Sequence, residues 1–278
     1  MSKIALVVGA TSGIGHGIAV TLASKGTSVI LAGRSETAAA KIIEECKLAS
    51  KDVDPQPTFT FKKVDGFNLT TIKDLAGSIT SLDWLIMTQG MATIQGFTPT
   101  SDGFDQKLSL HVYSRFLLAS LLSPKLAQSS DGRVLSVLSG GVHSPYTSYT
   151  SDFELKNNYS VKNAADSAGF YNDCYLDCLA SKNNTVKYGH AAPGFVSTNW
   201  GTEMPAMLRM MIRPLQAAFG RDKFKCGEYM YEGLMGMETG RVNIIDQKGM
   251  GGGGVTKVHE EAKGEVFEKL GELCKQWM

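Results

Sequence analysis

The feature of this chain that most constrains its fold is a short apolar run that ends in a glycine-rich turn. Residues 3–8 are mostly apolar, and Gly9, Gly13 and Gly15 follow before an apolar-periodic stretch begins at Ile18. This order predicts a strand, a tight turn and a helix. Small residues let such a turn approach a pyrophosphate, whose charge the N–H groups at the helix N-terminus stabilise. A dinucleotide site is therefore predicted, although glycines also mark turns in other folds.

The predicted contacts of this turn include two hydroxyl donors, Thr11 and Ser12. The whole set of expected contacts is Gly9, Thr11, Ser12, Gly13, Ile14 and Gly15.

The end of the next apolar run indicates which dinucleotide the site prefers. Residues 28–32 are followed by Gly33, Arg34 and Ser35, where an NAD site usually has an acidic side chain beside the ribose 2′-hydroxyl. A guanidinium at this position favours a 2′-phosphate instead. We therefore expect NADP(H) as the cofactor, with Arg34 and Ser35 at its phosphate. The alternative is a solvated surface arginine.

Seven strand-like runs alternate with helical stretches along the chain. They lie near residues 3–8, 28–32, 58–64, 83–88, 133–138, 185–191 and 241–245. This alternation predicts the α/β fold class, with a Rossmann-type, doubly wound sheet of seven parallel strands joined by right-handed crossovers. A chain of 278 residues with 43% hydrophobic content can bury one large core, so we expect a single domain over 1–278.

Composition excludes several classes of partner. A formal net charge of +1 leaves no broad basic face, so we expect no nucleic acid. No apolar run approaches the roughly 18 residues that span a bilayer, and residues 3–8 are too short for a signal peptide, so we expect no membrane partner and a cytoplasmic protein. Five scattered cysteines do not make a disulfide framework. Cys174 and Cys178 lack a nearby pair that would complete a metal site, so we expect no metal.

Motifs along nearly the whole chain resemble those of the short-chain dehydrogenase/reductase family. Beyond the glycine turn they are Asp65 after the third strand, Thr88-Gln89-Gly90-Met91 after the fourth, Ser139 at the end of the fifth, and Ala192-Pro193-Gly194-Phe195-Val196-Ser197-Thr198 after the sixth. Residues 87–115 are also similar to a fungal-type branch. The resemblance implies an oxidoreductase that acts on a small molecule and is a possible homo-oligomer.

The same resemblance implies further cofactor contacts. They are Asp65 on the adenine, Gln89 and Gly90 after the fourth strand, and Pro193, Gly194, Val196 and Thr198 beside the nicotinamide. Ser12 argues partly against NADP(H), because NADP-preferring relatives often have a second basic residue at that position.

The chain departs from the family at the catalytic residues. In the family, a Ser polarises the carbonyl oxygen, a Tyr donates the proton, and a Lys four residues later lowers the pKa of the Tyr. Ser139 matches the Ser, and His111 lies where an Asn that supports a water relay is expected. No Tyr-x-x-x-Lys occurs in residues 140–175.

Two registers remain open for the missing pair. An ungapped comparison with the retinol-dehydrogenase-like branch, which ends on a matching Leu-Ala, puts Ala165 at the Tyr position and Gly169 at the Lys position. The competing register uses Tyr159, with Lys162 only three residues later. Because helix positions turn by about 100°, a Lys at the third position points away from the direction needed at the fourth. We favour the ungapped register.

If the chain catalyses reduction, another group supplies the proton or the acceptor needs little help. The predicted catalytic residues are Ser139, Tyr159, Asp166 and His111, and His143 is a further candidate donor. Each has a structural alternative. Ser139 could belong to a strand-end turn, and Tyr159 could be a surface aromatic residue at a helix start. Asp166 could cap a helix, and each histidine could be a hydrogen-bonding core residue. We expect His190 to be structural.

The remaining segments predict a lid and a final helix. Residues 197–222 follow the sixth strand, where the family has its variable lid, and their methionines and a tryptophan form a soft apolar surface for a hydrophobic ligand. An ordinary core or subunit-contact helix is the alternative. Residues 249–254 predict a flexible connection to a helix over about 256–277.

Three functions are compatible with these residues. The favoured one is an NADP(H)-dependent oxidoreductase that acts on a small apolar carbonyl, enone or imine with an unconventional proton donor. The second is a non-redox cyclase or isomerase on the same fold. The third is a catalytically dead nucleotide-binding scaffold.

Overall fold

The computed structural model describes residues 2–198, 201, 204 and 206–278, and these residues contain a seven-stranded parallel sheet. The strands are β1 (Ile4–Val8), β2 (Ser28–Gly33), β3 (Phe59–Lys63), β4 (Trp84–Met87), β5 (Arg133–Val137), β6 (Lys187–Ala191) and β7 (Val242–Ile245). Their order across the sheet is β3-β2-β1-β4-β5-β6-β7, and all neighbours are parallel. The predicted α/β, Rossmann-type fold class is confirmed.

Helices connect the strands. In the described residues the α-helices are α1 (Gly13–Ser24), α2 (Glu36–Ala49), α3 (Leu69–Ser78), α4 (Gln106–Leu108), α5 (Ser114–Leu126), α6 (Val161–Lys182), α7 (Ala206–Phe219), α8 (Lys223–Met235) and α9 (Lys257–Cys274). A π-helix (Ser109–Tyr113) joins α4 to α5, and short 3-10 helices cover Thr147–Thr150 and Lys275–Trp277. Asn68 and Asp222 cap α3 and α8, each by accepting from two backbone N–H groups.

The sheet separates two hydrophobic cores because side chains alternate along each strand. In β1, Leu6 and Val8 face the core formed with α3, α5, α6 and α9. Ala5 and Val7 face the other core, formed with α1, α2 and α8. Strands that are buried on both faces become continuous apolar runs, which explains why most of them were visible in the sequence.

The order in which strands are added to the sheet reverses between β1 and β4, since β2 and β3 lie on one side of β1 and the later strands lie on the other. Ligands of doubly wound sheets bind at the carboxyl ends of the strands beside such a switch point. The loops that follow β1, β4, β5 and β6 therefore define where a site should lie.

Part of the glycine segment 249–254, which the sequence predicts as a flexible connection, is hydrogen-bonded to β7. Gly251 forms an antiparallel bridge with Ile245, and Gly252 N–H donates to Ile244 O at 2.7 Å. Gly249 has a positive φ of 75°, and a Cβ there would lie 2.1 Å from Tyr229 O. The glycines thus let the chain turn back along the end of β7.

The predicted lid is described only in part. Asn199, Trp200, Thr202, Glu203 and Pro205 lie outside the described residues. In the described part, α7 exposes Met207, Met210 and Met211 to solvent. A lid over this segment therefore stays a prediction.

The C-terminal helix α9 packs against α6 through Ala262, Val266 and Leu270, all fully buried. Because one sheet joins the described strands and α9 shares the hydrophobic core on one face of that sheet, we propose that the chain is a single domain. Among the described residues, no helix is both long enough and apolar enough to cross a lipid bilayer.

Candidate active site

The turn between β1 and α1 is packed too tightly for side chains at two of its glycines. A Cβ on Gly15 would lie 2.4 Å from Gly9 O, and one on Gly9 would lie 2.6 Å from Thr88 Oγ1. The turn therefore lies directly against the end of β4, at the switch point of the sheet. This close approach requires glycine and explains the spacing seen in the sequence.

The N-terminus of α1 opens into the site without a side-chain cap. Within the described structure, Ser12 is the N-cap residue but its hydroxyl makes no capping hydrogen bond, and the first turn has no acidic residue. In α2, by contrast, Ser35 Oγ accepts from Ala38 N–H at 3.2 Å. The first N–H groups of α1 therefore remain suitable for an anion.

A cavity of about 670 Å³ brings together most of the predicted cofactor contacts. Its lining includes Gly9, Thr11, Ser12, Gly13, Ile14, Gly15, Arg34, Asp65, Gln89, Gly90, Pro193 and Thr198. Three predicted contacts do not line it. Ser35 caps α2, whereas Gly194 and Val196 line a second cavity of about 630 Å³ that shares Pro193 and Thr198 with the first.

Arg34 lies at one end of the cavity. It follows β2, is exposed, and makes no ion pair with any described residue. Its guanidinium lies 5.8 Å from the centre of the Phe67 ring. On the adjacent wall, Asp65 Oδ1 accepts from Phe67 N–H at 3.1 Å. The guanidinium is thus free to meet an anionic group of a ligand.

Two buried side-chain oxygens in the lining have no hydrogen-bond partner among the described residues: Gln89 Oε1 and Ser139 Oγ. Buried polar groups are normally paired, and an orphan in a cavity indicates a missing ligand or water. Gln89 Nε2 is held by Ser114 Oγ at 3.3 Å, which orients the amide. The two unpaired oxygens, which follow β4 and β5, are therefore suited to a polar ligand that contacts both strand ends.

Helix α6 forms a wall of small residues along the cavity. Ala164, Ala165 and Ala168 line it. A Cβ on Gly169 would lie 2.6 Å from Ser139 Oγ and 2.4 Å from His143 Cγ. The two positions of the ungapped register, Ala165 and Gly169, therefore lie beside the cavity and Ser139, and neither carries a proton that can be transferred.

Tyr159, the key residue of the competing register, lies outside the cavity lining. Lys107 Nζ donates to its hydroxyl at 2.6 Å, and the hydroxyl lies 3.5 Å from Asp105 Oδ1. Burial and the Asp105 charge raise the pKa of Tyr159 above its usual value. The structure thus disfavours Tyr159 as the group that meets the substrate, because it is placed behind Lys107.

Asp166 lines the cavity, but both of its oxygens are engaged. Oδ1 accepts from Ser144 N–H at 3.1 Å, and Oδ2 pairs with Lys162, which is largely exposed. The carboxylate thus joins the loop after β5 to α6, which matches the capping alternative. As an acceptor in both contacts, it has no proton to donate in this arrangement.

The structure corrects the expectation that His111 donates a proton near neutral pH. His111 is in the π-helix, where its Nε2 accepts from Met91 N–H at 3.0 Å. Burial, with the nearby charges of Arg115 and Lys107, lowers the pKa of His111 to about 3. A neutral imidazole whose Nε2 lone pair is already used positions the loop after β4 and is not an acid.

The sequence interpretation missed two groups of residues at the site. Lys107 lines the cavity and also donates to Gln95 O at 2.7 Å, and burial lowers its pKa. Asp173 is 2% exposed and contacts three imidazoles, those of His143, His190 and His259. An acidic residue four positions after Gly169, on the buried face of α6, was the available signal.

Arg115 holds the floor of the site. It is fully buried, and Nη1 donates to Met87 O and Val137 O, each at 3.1 Å, while Nη2 donates to Gln89 O. These bonds join the carboxyl ends of β4 and β5. The floor beneath Gln89 and Ser139 is therefore rigid.

The cysteines are not part of this site. Cys174 is fully buried in the core, and Cys178 contacts Lys263 O at 3.5 Å. All five cysteines are free thiols.

The fold and this cleft are typical of dinucleotide-binding proteins, and comparison with known proteins identifies the family. The short chain dehydrogenase family model matches residues 3–152. Oxidoreductase AN1596 of Emericella nidulans is 30% identical over 235 residues, which cover 81% of this chain and 69% of that protein. The NmrA-like family domain-containing oxidoreductase notO of an Aspergillus species is 27% identical over 199 residues, which cover 70% of this chain and 60% of that protein.

A solved structure has the same fold. The short-chain dehydrogenase from Sphingobium yanoikuyae in complex with NADPH has a TM-score of 0.61 and 17% identity, and the match covers 86% of this chain and 87% of that one. The chain belongs to the short-chain dehydrogenase family, whose members are oxidoreductases.

Proposed function

We propose that the protein is an NADP(H)-dependent reductase of a small apolar carbonyl, enone or imine, and that its proton donor is not a tyrosine. The observation that carries this proposal is the single cavity that joins the glycine turn, Arg34 and the unpaired hydroxyl of Ser139. A structural neighbour in complex with NADPH supports the choice of cofactor.

The residues present fit a dinucleotide. The uncapped N-terminus of α1 would hold the pyrophosphate, Asp65 the adenosine, and Gln89 Oε1 would accept from a donor at the other end. Arg34 would bind a 2′-phosphate through charge-assisted hydrogen bonds. When bound, the nicotinamide supplies the hydride that the acceptor carbon receives.

An apolar acceptor fits the part of the cavity beyond Ser139. Its lining there includes Met91, Ile94, Val142, Val161 and Met204. The alanines of α6 leave room for a bulky substrate where the family has a tyrosine. Flexible methionines adapt to irregular apolar shapes.

Reduction adds a hydride to carbon and a proton to the carbonyl oxygen, to the imine nitrogen or, after hydride addition to the β-carbon of an enone, to its α-carbon. Ser139 Oγ would polarise the acceptor atom, since Ser139 lines the cavity and this oxygen has no hydrogen-bond partner among the described residues. Lys107 is the group we assign as proton donor: it lines the cavity, burial lowers its pKa, and its ammonium donates to Gln95 O and to the Tyr159 hydroxyl. A lowered lysine pKa brings the ammonium closer to the range of an effective general acid.

One observation favours the non-redox alternative. Ala165 and Gly169 leave α6 without the two side chains that the family uses for proton transfer. A pocket of this kind can direct a cyclisation or isomerisation of a bound substrate, with the cofactor retained for structure. Product formation without consumption of NADPH is the signature of that function.

Binding and turnover test the proposal together. We expect calorimetry to show tight binding of NADPH, and Arg34→Ala to weaken it at least about tenfold while NADH changes little. Arg241→Ala is the matched control, because Arg241 is exposed at the amino end of β7, opposite the cleft. Equal losses for NADPH and NADH would remove the 2′-phosphate contact.

The same protein is then screened for NADPH oxidation with aldehydes, ketones, enones and cyclic imines. We expect Ser139→Ala to lower turnover by about a hundredfold and Lys107→Met by about ten- to a hundredfold. Tight binding without oxidation of any acceptor would contradict the reductase and leave the cyclase or the scaffold.

A further inference from the structure

Asp173, on α6, holds two imidazoles with its two oxygens. His190 Nδ1 lies 2.6 Å from Oδ1, and His143 Nε2 lies 3.2 Å from Oδ2. The second contact is an ion pair without the alignment of a hydrogen bond. All three side chains are at most 3% exposed. One carboxylate therefore bridges β6 and the loop after β5.

Both imidazoles also bind the main chain of Ser139. Ser139 N–H donates to His190 Nε2 at 3.1 Å, and His143 Nδ1 lies 2.9 Å from Ser139 O. The four residues thus form a closed ring, in which the peptide groups on both sides of the Ser139 side chain are fixed. The position of the Ser139 hydroxyl depends on this ring.

The ring assigns a different protonation state to each histidine. His190 Nε2 accepts an N–H, so its proton is on Nδ1 and the ring is neutral, and burial lowers the pKa of His190. His143 faces a carbonyl and a carboxylate, which both call for N–H groups. Burial opposes its charge, but the contact with Asp173, the Asp173 charge and the Ser139 carbonyl together raise the pKa of His143.

Gly169 makes room for this imidazole. A Cβ at 169 would lie 2.4 Å from His143 Cγ and Nδ1 and 2.6 Å from Ser139 Oγ. A side chain at the family's Lys position and the His143 ring therefore exclude each other. Gly169 in place of the family's Lys therefore leaves the space that the His143 ring occupies.

We propose that Asp173, His143 and His190 form a clamp that positions Ser139 for catalysis, and that the His143 imidazolium supplies the positive charge that a lysine at 169 supplies elsewhere in the family. The clamp rests on the proposed reductase function. Asp173 and His190 are positioning residues, because they act through Ser139, whereas His143 both positions Ser139 and lines the cavity.

Other titratable groups surround His143. They are Asp173 and Asp166 on α6, His190 on β6 and His259 on α9, with Glu260, Lys263 and Asp177 behind His259. His259 Nδ1 receives Thr256 N–H at 3.2 Å, so its proton is on Nε2, which faces Asp173 Oδ2 at 3.5 Å. That tautomer leaves no lone pair for a metal ion, although donor atoms of His143, Asp173 and His259 lie within 4.8 Å of one another.

The kinetic test uses His143→Asn, because the Asn amide can still donate to Ser139 O but carries no charge. We expect turnover of NADPH to fall about ten- to a hundredfold, with NADPH affinity within about twofold. We also expect the wild-type turnover to decline as pH rises and both His143 and Lys107 lose their protons, and the variant to lose the decline that His143 causes while it keeps the one that Lys107 causes. Asp173→Asn should show the same change.

Asp177→Asn is the matched control. Asp177 is a buried carboxylate one turn further along α6, bound to Lys263 and Val242 N–H and not to Ser139. It should cost stability without changing the pH profile. An unchanged profile in His143→Asn, or the same change in Asp177→Asn, would overturn the clamp.

A second readout does not depend on turnover. Nitrogen-15 NMR of the imidazoles at pH 7 should show a neutral His190 protonated on Nδ1 and a cationic His143, and Asp173→Asn should abolish the His143 charge. A neutral His143, or one equivalent of zinc bound by the cluster, would overturn the clamp. If these NMR states are found but no acceptor is reduced, the reductase proposal fails and the ring geometry stands.

Discussion

The two ends of the cavity differ in what forms them: backbone geometry at one end, and side chains from separate elements at the other. At the dinucleotide end, the turn over 9–15 and Arg34 are short segments next to strand ends, and their backbone geometry makes the site. At the α6 end, Ser139, His143 and Asp173 meet only because separate elements pack together. The dinucleotide end keeps the family's glycine turn, whereas the α6 end lacks the family's Tyr and Lys and has other side chains instead. Backbone-built sites constrain sequence locally, whereas side-chain networks can be rebuilt from new positions.

The largest effect is expected at the dinucleotide end. In Gly15→Ala, the new Cβ would lie 2.4 Å from Gly9 O, a backbone atom that cannot move without opening the turn. We expect the free energy of unfolding to fall by about 1–3 kcal/mol and NADPH affinity to fall at least about tenfold. Denaturant unfolding and calorimetry measure the two losses.

The matched control for this variant is Gly264→Ala in α9, where a Cβ meets nothing within 4 Å. It should stabilise the protein by about 0.5–1 kcal/mol and leave NADPH affinity unchanged. Normal NADPH binding by Gly15→Ala would show that the turn is not the pyrophosphate site.

The second prediction tests whether the α6 end has been rebuilt. Restoring the family pair with Ala165→Tyr and Gly169→Lys should not raise turnover, because the new side chain at 169 collides with His143 and Ser139 Oγ. We expect the double variant to lose about 1–3 kcal/mol of stability. Ala165→Tyr alone should be tolerated, since Ala165 is exposed to the cavity.

A gain in NADPH turnover by the double variant would contradict the comparison, because it would mean that the family's Tyr and Lys still fit at these positions. Adding His143→Ala to the double variant removes the ring in the way of the lysine. We expect this triple variant to regain part of the lost stability. Steady-state NADPH oxidation and thermal unfolding of the single, double and triple variants measure the changes in turnover and stability.

The sequence predicted the fold, and it singled out most of the residues that line the proposed dinucleotide end of the cavity, because their signals are local. Apolar runs mark strands that are buried on both faces, and the glycine turn and Arg34 follow two of them directly. It did not predict the clamp, because His143, Asp173 and His190 come from the β5 loop, α6 and β6. Lys107 was missed for the same reason: it reaches the cavity through α4, outside any family motif.

The third prediction concerns His111, which lies between the two ends. Its pKa is lowered to about 3 in the folded protein, below the unfolded value near 6.5. Its contribution to stability is therefore complete above pH 6.5 and is lost as pH falls toward 3. Relative to His111→Gln, the wild type should lose about 1 kcal/mol more between pH 7.5 and pH 5.5. Urea unfolding at both pH values measures this, and equal losses would show that His111 ionises freely.

The smallest effect is expected for Lys162→Ala, which separates the two registers. Lys162 is 75% exposed on its side chain and pairs with Asp166 four residues later. Removing an exposed pair of this kind changes stability by less than about 0.5 kcal/mol. If the ungapped register holds, turnover and NADPH affinity should equal those of the wild type. A large loss of turnover in Lys162→Ala, measured beside Lys156→Ala as a control for another exposed lysine that pairs with a nearby acid, would restore the Tyr159 register and contradict a rebuilt α6 wall.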